Sequence, residues 1–210
     1  MKAYKKEDLP GKTIERLSQY RRLLFNSMAA GKTNVFSHEL AQLMNLTPVQ
    51  VRRDLMLIGY GGSQSKGYVI KDLITLIGKI IDNDKGLKMA IVGMGNLGRA
   101  FTSYLTGKRE KLTIVAAFDN DLQKTDRVIG GVPCYHVSRL KEIIAAEQIS
   151  IAILTVAPQA AQEVGRMLVE AGIKGILNYT SIPLNVPGHI TLEESDIITS
   201  LEKVAFFVKK

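Results

Sequence analysis

A glycine-rich segment in the second half of the chain has the residue types and spacing that hold a nucleotide phosphate. An apolar run at 87–92 leads directly into the pattern G-x-G-x-x-G, formed by Gly93, Met94, Gly95, Asn96, Leu97 and Gly98. The first glycine permits a tight turn, the second lets the backbone approach a pyrophosphate, and the third allows close packing of helix on strand. Because the pattern follows a strand and opens a helix, it predicts a dinucleotide-binding turn.

An acidic residue stands where this fingerprint expects one. Asp119 follows a second apolar run, at 112–118, about 20 residues beyond the last glycine. Its carboxylate can accept hydrogen bonds from both hydroxyls of an adenosine ribose and would repel a 2′-phosphate. We therefore expect NAD(H) rather than NADP(H). A solvated acid at the end of a strand is the alternative interpretation.

Two further strand ends supply candidate cofactor contacts, because the carboxyl ends of strands line the ligand crevice of an open α/β sheet. Thr155 and Pro158 lie at the end of the apolar run 150–155, and Asn178 ends the run 174–178. Each could equally shape a loop.

The chain offers no evident catalytic group. A dehydrogenase needs a proton donor or acceptor and a place for its substrate, but only about 30 residues remain after position 180. His38, His136 and His189 occupy no obvious reaction position, and Cys134 lies in an apolar strand. No metal-ligand spacing is present either. We predict neither an enzyme nor a metal site.

Polar residues in the first half of the chain have the arrangement of a DNA-reading helix. Thr47 and Pro48 predict a capped helix start, and the glycine-rich segment 59–69 that follows predicts a hairpin, as in a winged helix-turn-helix. The N-terminal half of such a helix enters the major groove, where Arg pairs with guanine and Gln with adenine. The candidate DNA contacts are Thr47, Gln50, Arg52, Arg53 and, on the hairpin, Lys66. A solvated helix face anchored by Asp54 is the alternative.

Hydrophobic periodicity predicts how these segments are arranged. One helix is expected over 13–30, a second begins after a cap at Ser37, and another is expected over 71–81. The polar segment 82–86 is the predicted domain boundary. Strands and helices then alternate, which favours a parallel sheet with helices on both faces, and a last amphipathic helix is expected over 191–205. The predicted α/β chain comprises a winged helix-turn-helix at 1–82, a Rossmann doubly wound sheet at 87–190 and a C-terminal helix at 191–210.

Composition agrees with a DNA-binding first domain. The chain has 210 residues and a formal net charge of +8, of which +7 falls in residues 1–88, as expected for a domain that binds a polyanion. A single cysteine excludes an intramolecular disulfide and suits a reducing compartment. The sequence has neither a signal-peptide core nor a long apolar span, so we expect a cytoplasmic protein with no membrane partner.

Four segments, spread over nearly the whole chain and arranged in the same order as in the family, together resemble the Rex family of redox-sensing transcriptional repressors. They are Gln50-Val51-Arg52-Arg53-Asp54-Leu55, Lys66-Gly67-Tyr68, Val92-Gly93-Met94-Gly95-Asn96-Leu97-Gly98 and Ala171-Gly172-Ile173-Lys174-Gly175-Ile176-Leu177-Asn178.

The resemblance implies a homodimer in which the last helix is exchanged between subunits. It also implies release from double-stranded operator DNA when NADH binds, with NAD+ much less effective. Family positions that fall on Arg22, Tyr104 and Asp196 imply a signalling cluster. In it, Tyr104 lies near the nicotinamide, and Asp196 of the exchanged helix moves between Tyr104 and Arg22.

Two other functions stay open at this point. One is a small NAD-dependent oxidoreductase with an appended basic domain, against which the missing acid/base residue argues. The other is a CoA-binding module, because CoA-binding Rossmann domains share glycine-rich turns. Asp119 favours a ribose diol, whereas CoA carries a 3′-phosphate at that ribose.

Overall fold

The chain divides into two units between Asp84 and Lys85, within the polar segment 82–86. The structure is a computed structural model that describes residues 9–63, 65–109 and 111–208.

The first unit packs four helices beside a small antiparallel sheet. Its elements are α1 (Gly11–Ala29), β1 (Asn34–Val35), α2 (Ser37–Leu43), α3 (Pro48–Leu57), β2 (Tyr68–Val69) and α4 (Ile70–Ile81). Their apolar stripes meet in one core, where the largest fully buried side chains include Tyr20, Leu17, Leu24, Leu40, Leu55, Leu73 and Ile77. The predicted helix-turn-helix, α2 followed by α3, is confirmed, as is the helix that closes the unit.

The two predicted helix caps of this unit differ in outcome. Thr47 caps α3 as expected, since its hydroxyl accepts a hydrogen bond of 3.2 Å from the Gln50 amide. The prediction for Ser37 is wrong, because Ser37 is the first residue of α2 and Phe36 occupies the cap position. The Glu39 carboxylate instead accepts the Phe36 amide at 2.7 Å.

The second unit is built on a seven-stranded sheet. Its elements are β3 (Leu87–Val92), α5 (Asn96–Leu105), β4 (Leu112–Asp119), β5 (Arg127–Ile129), β6 (Val132–His136), α6 (Leu140–Glu147), β7 (Ile149–Leu154), α7 (Ala161–Glu170), β8 (Gly175–Asn178), β9 (Thr191–Glu194) and α8 (Ile197–Val208). The strand order is β5-β6-β4-β3-β7-β8-β9, and only the β5–β6 pair is antiparallel. The six parallel strands have the 3-2-1-4-5-6 order of a Rossmann sheet. The predicted doubly wound fold is confirmed.

Helices cover both faces of this sheet. On one face α6 and α7 bury Leu140, Ile144 and Leu168 against strand residues that include Phe118. On the other face Phe101 of α5 packs against a smaller buried cluster. This packing sets the carboxyl ends of β3, β4 and β7 side by side, which is where the glycine turn and Asp119 lie.

The C-terminal segment departs from its prediction. Residues 191–194, expected in a helix, form β9 and pair in parallel with β8. The last helix begins only at Ile197, because the Asp196 carboxylate accepts hydrogen bonds from the amides of Ile198 and Thr199. The predicted boundary at 190/191 therefore separates the sheet from its own last strand.

Within residues 9–63, 65–109 and 111–208, no helix is long and apolar enough to cross a membrane. The same ranges contain no group of three His, Cys, Asp or Glu residues that could hold a metal ion.

Candidate functional site

The glycine turn after β3 requires glycine at two of its three positions. Gly93 has a φ of +99°, and a Cβ there would lie 2.7 Å from the Thr155 carbonyl. A Cβ at Gly98 would overlap the Gly93 carbonyl oxygen, which allows α5 to start close against the strand. At Gly95, by contrast, a Cβ would meet no atom within 4 Å. The backbone of this turn therefore faces open space where a pyrophosphate can approach.

Thr155 closes the turn from the neighbouring strand. Its hydroxyl lies 2.8 Å from the Gly93 carbonyl oxygen and 3.1 Å from that of Val92, and donates to these acceptors. The Thr155 side chain thus holds the glycine turn against the end of β7 and also lines the adjoining cavity.

Asp119 fixes the turn from the other side. Its Oδ2 accepts the Met94 amide at 2.7 Å and the Lys124 ammonium at 3.2 Å, while its Oδ1 accepts the Asp121 amide at 2.9 Å. Only 6% of the residue is exposed. Burial alone would raise the pKa of Asp119, but the amides of Asp121 and Met94 and the Lys124 ammonium outweigh it and hold this pKa below its usual range. The carboxylate is ionised at neutral pH.

A cavity of about 380 Å³ opens at this point, a size within the range of ligand pockets. Its polar lining includes Gly95, Asp119, Asn120, Lys124 and Thr155, and its apolar lining includes Phe118, Val137, Val164 and Met167. A charged acceptor beside an apolar wall suits an adenosine, whose ribose is polar and whose base is flat and largely apolar. Lys124 is not predictable from the sequence, because it reaches Asp119 through a loop with no recognisable spacing.

Other predicted cofactor residues stand apart from the cavity lining. Met94 is fully buried and meets Asp119 through its amide alone. Asn96 and Leu97 form the first turn of α5. Pro158 is exposed and begins the short turn before α7.

Two further candidates make local contacts of their own. Asn178 is 1% exposed; its amide donates to the Ile182 carbonyl at 2.9 Å and its oxygen accepts the Thr180 hydroxyl at 2.8 Å, which shapes the loop after β8. Tyr104 is 64% exposed on α5, with the Lys108 ammonium 5.1 Å from its ring centroid.

The candidate DNA contacts lie on or near α3. Arg53 is exposed, and the exposed Arg52 donates a hydrogen bond of 3.2 Å from Nη1 to the Ser37 hydroxyl. The side-chain amide of Gln50 donates to Asp54 at 2.9 Å. Lys66 is exposed on the hairpin, and its carbonyl accepts the Asn34 side chain at 2.9 Å.

Asp54 is not part of a solvated face. It is fully buried and accepts the Arg16 guanidinium at 2.6 and 2.8 Å and the Tyr20 hydroxyl at 2.9 Å. Burial, followed by the Asp54 carboxylate, raises the pKa of Tyr20 far above its usual value. Asp54 therefore fastens α3 to α1, which orients the exposed face that carries Arg53.

The three residues of the implied signalling cluster are each exposed or locally bonded within this chain. Arg22 is exposed on α1. Asp196 caps its own helix and also accepts the Thr199 hydroxyl at 2.6 Å. These contacts hold the pKa of Asp196 below its usual range.

Two family models match separate parts of the chain. Residues 8–55 match the model described as a putative DNA-binding protein N-terminus. Residues 84–182 match the model described as a CoA binding domain. The two matches fall on the helix-turn-helix and on the Rossmann sheet, respectively.

Curated relatives match over almost the full length. The redox-sensing transcriptional repressor Rex of Geobacillus kaustophilus (strain HTA426) is 40% identical over 201 residues, which are 96% of this chain and 94% of that protein. The Rex protein of Lactobacillus acidophilus (strain ATCC 700396 / NCK56 / N2 / NCFM) is 36% identical over 200 residues, with 95% of each chain covered.

Solved structures agree with these relatives. The crystal structure of RSP, a Rex-family repressor, in complex with β-NAD+ and operator DNA superimposes with a TM-score of 0.88, at 32% identity and with 95% of this chain and 92% of that chain covered. The RSP complex with β-NADH gives a TM-score of 0.85, at 31% identity and with 96% of this chain and 94% of that chain covered. These relatives are repressors, which confirms the prediction that the chain is not an enzyme. The chain belongs to the Rex family of redox-sensing transcriptional repressors.

Proposed function

We propose that this chain represses transcription by binding operator DNA with its first unit, and that NADH bound in the cavity of its second unit releases it. The observation that carries the proposal is Asp119, held ionised beside the open backbone of Gly95. A fixed carboxylate and an open glycine turn match the ribose and the pyrophosphate of one dinucleotide.

The cofactors are NADH and NAD+. The pyrophosphate would lie over Gly95 and the first amides of α5, at Asn96 and Leu97, and the adenosine ribose would lie at Asp119. Three donors already bond the Asp119 carboxylate, which has about four acceptor positions. About one acceptor position therefore remains, enough for one ribose hydroxyl rather than for both hydroxyls as expected from the sequence. The RSP complexes with β-NAD+ and β-NADH support this choice of ligands.

The partner of the first unit is double-stranded operator DNA. Helix α3 would enter the major groove by its N-terminal half, with Thr47, Gln50 and Arg53 toward the bases and Lys66 on the hairpin toward the backbone or minor groove. Gln50 donates one side-chain N–H to Asp54, which leaves its second N–H and its oxygen for a base. The complex of RSP with operator DNA supports this role.

The active species is a homodimer that joins through α8. Seven apolar residues of α8 are between 53% and 78% exposed: Ile197, Ile198, Leu201, Val204, Phe206, Phe207 and Val208. A contiguous apolar surface of this kind marks an interaction site, and a second copy of the chain is the commonest partner. Exchange of α8 would bring the partner's Asp196 toward Tyr104 and Arg22, where the signalling cluster is proposed. Pro158 and Asn178 would shape the loops around the cofactor.

Ligand identity is tested by thermal shift of the intact protein with NADH, NAD+ and acetyl-CoA. Acetyl-CoA is included because of the match to a CoA-binding model. We expect NADH to raise the melting temperature and acetyl-CoA to leave it unchanged. Stabilisation by acetyl-CoA alone would overturn the cofactor assignment.

Operator release is tested by gel shift, with a duplex that the apoprotein selects from a random library. We expect NADH to weaken this complex at least tenfold, a coupling of about 1.4 kcal/mol. A complex that is indifferent to NADH would contradict the sensor function.

A further inference from the structure

A second cavity, which we call the wing cavity, lies within the first unit between the start of α2, α3 and the hairpin. It measures about 350 Å³ and is lined by Phe36, Ser37, Arg52, Gly62, Ser63, Gly67 and Tyr68. Among these lining residues, all in the described part of the chain, Arg52 is the only charged one. Two serine hydroxyls accompany it. The wing cavity is therefore a small basic pocket that also contains neutral hydrogen-bond donors.

The Arg52 side chain is directed across the surface toward α2. Its Nη1 donates to the Ser37 hydroxyl at 3.2 Å. Arg53, the next residue, projects from the helix about 100° away, as the 3.6-residue period requires, and is exposed. The two arginines therefore face different surroundings, although their sequence positions make them equivalent candidates.

The walls of the wing cavity are fixed by the hairpin backbone. Ser63 and Gly67 exchange amide-to-carbonyl hydrogen bonds of 2.9 and 2.8 Å. Gly67 has a φ of +69°, and a Cβ there would lie 2.5 Å from the Val35 carbonyl oxygen. A Cβ at Gly62 would lie 2.6 Å from the Tyr68 ring. Backbone and aromatic atoms thus define the pocket beside Arg52.

We propose that the wing cavity receives a backbone phosphate of the DNA, held by Arg52, while Arg53 is left to read base edges. A guanidinium presents several N–H donors in a fork that matches phosphate oxygens, and hydroxyls are common additional donors to phosphate. The assignment rests on the proposed DNA-binding function and gives the two arginines different roles in it. Arg52 sets the position of the protein on any duplex, and sequence preference comes from elsewhere on α3.

The test compares full-length Arg52→Ala with its neighbour control Arg53→Ala by fluorescence anisotropy. Each is titrated with the selected operator and with a scrambled duplex, over roughly 50 to 200 mM salt. We expect Arg52→Ala to weaken both complexes by a similar factor, about tenfold, and to reduce the slope of log Kd against log salt by about one. Arg53→Ala should weaken the operator complex more than the scrambled one. Arg52→Lys should retain the wild-type salt slope.

The outcomes separate this assignment from the proposed function. The opposite result is that Arg52→Ala narrows the difference in affinity between operator and scrambled DNA and leaves the salt slope unchanged. Arg52 would then read bases, and the phosphate assignment would be overturned. An unchanged affinity for both duplexes would overturn it as well. If the wild-type protein binds neither duplex, the proposed function itself fails.

Discussion

Asp119 joins the glycine turn to the adjacent strand, because its carboxylate accepts the Met94 amide while it faces the cavity. The same negative charge that would select a ribose also shapes the turn that would hold the pyrophosphate. Lys124 moderates this charge from 3.2 Å. Loss of the carboxylate should therefore reduce both the affinity for NADH and the order of the glycine turn.

Replacing Asp119 with Asn tests its role in cofactor binding. The substitution removes the charge and one acceptor, so we expect the Kd for NADH to rise roughly 10- to 100-fold in isothermal titration calorimetry. Operator binding in the absence of NADH should persist. Asp126→Asn is the matched control, because Asp126 is exposed and its substitution removes the same charge at a nearby position. An NADH affinity of Asp119→Asn within twofold of wild type would contradict the assignment.

Cys134 should be chemically silent in the folded protein. It is 1% exposed, and burial, reinforced by the Asp119 charge, raises the pKa of its thiol to about 11. At pH 8 only about 0.1% is then thiolate, the nucleophilic form. We expect a disulfide reagent such as dithiobis(nitrobenzoate) to react slowly with native protein and rapidly after addition of denaturant. Rapid stoichiometric labelling of the native protein would show that the thiol is accessible.

At the scale of elements, Asp54 controls how α3 is presented. The carboxylate is buried on α3 but bonded to Arg16 and Tyr20 of α1, so it fixes one helix on the other. Asp54 lies on the inner side of α3, and the outer side carries Val49 and Met56, which are 64% and 50% exposed.

Substitution of Asp54 by Ala should destabilise the first unit by about 3 kcal/mol. Removal of a buried acceptor leaves the Tyr20 hydroxyl and the Arg16 guanidinium without their partner. Urea unfolding of the full chain, followed by circular dichroism, measures the loss. Glu15→Ala, an exposed position on α1, should change stability by less than about 0.5 kcal/mol. Equal effects of the two substitutions would show that the Asp54 network contributes nothing specific.

Local patterns predict most elements, and long-range contacts explain the misses. The glycine turn, the Thr47 cap and the α4 stripe are encoded within a few residues each, and the sequence predicts them. Strand β9 has one partly buried apolar residue, Leu192, and exists because its backbone pairs with β8, so it leaves no periodic signal. Strand β5 spans only three residues, which is too short for a pattern.

The same distinction applies to the sites. Asp119 is predictable because the spacing from the glycines fixes it. Lys124 depends on the path of a loop, and the separation of Arg52 from Arg53 depends on Ser37, 15 residues away in sequence. The burial of Asp54 depends on a partner 38 residues away. Long-range contacts of this kind leave no regular spacing in the sequence from which they could be predicted.

At the scale of the whole molecule, the exposed apolar residues of α8 suit the proposed homodimer. Within the described residues, no side chain of this helix is buried. Dimeric DNA-binding proteins of this type contact two half-sites about 34 Å apart, so the proposed dimer would offer two α3 helices to the operator. Dimerisation and DNA affinity should therefore be lost together.

Substitution of Leu201 and Val204 together by Glu should produce a monomer. Two carboxylates would then have to be buried in the interface, which is strongly unfavourable. Light scattering coupled to size-exclusion chromatography reports the mass. Ser200→Glu with Lys203→Glu is the control, since it adds two carboxylates at polar positions of the same helix. If the double variant remains dimeric, α8 does not form the interface.

In the proposed mechanism, NADH and operator DNA each weaken the protein's binding of the other. The most direct test of this coupling is the NADH affinity of the intact protein with and without saturating operator. Linkage requires operator DNA to weaken NADH binding by the same factor by which NADH weakens operator binding, at least about tenfold here. An NADH affinity that operator DNA leaves unchanged would contradict the account.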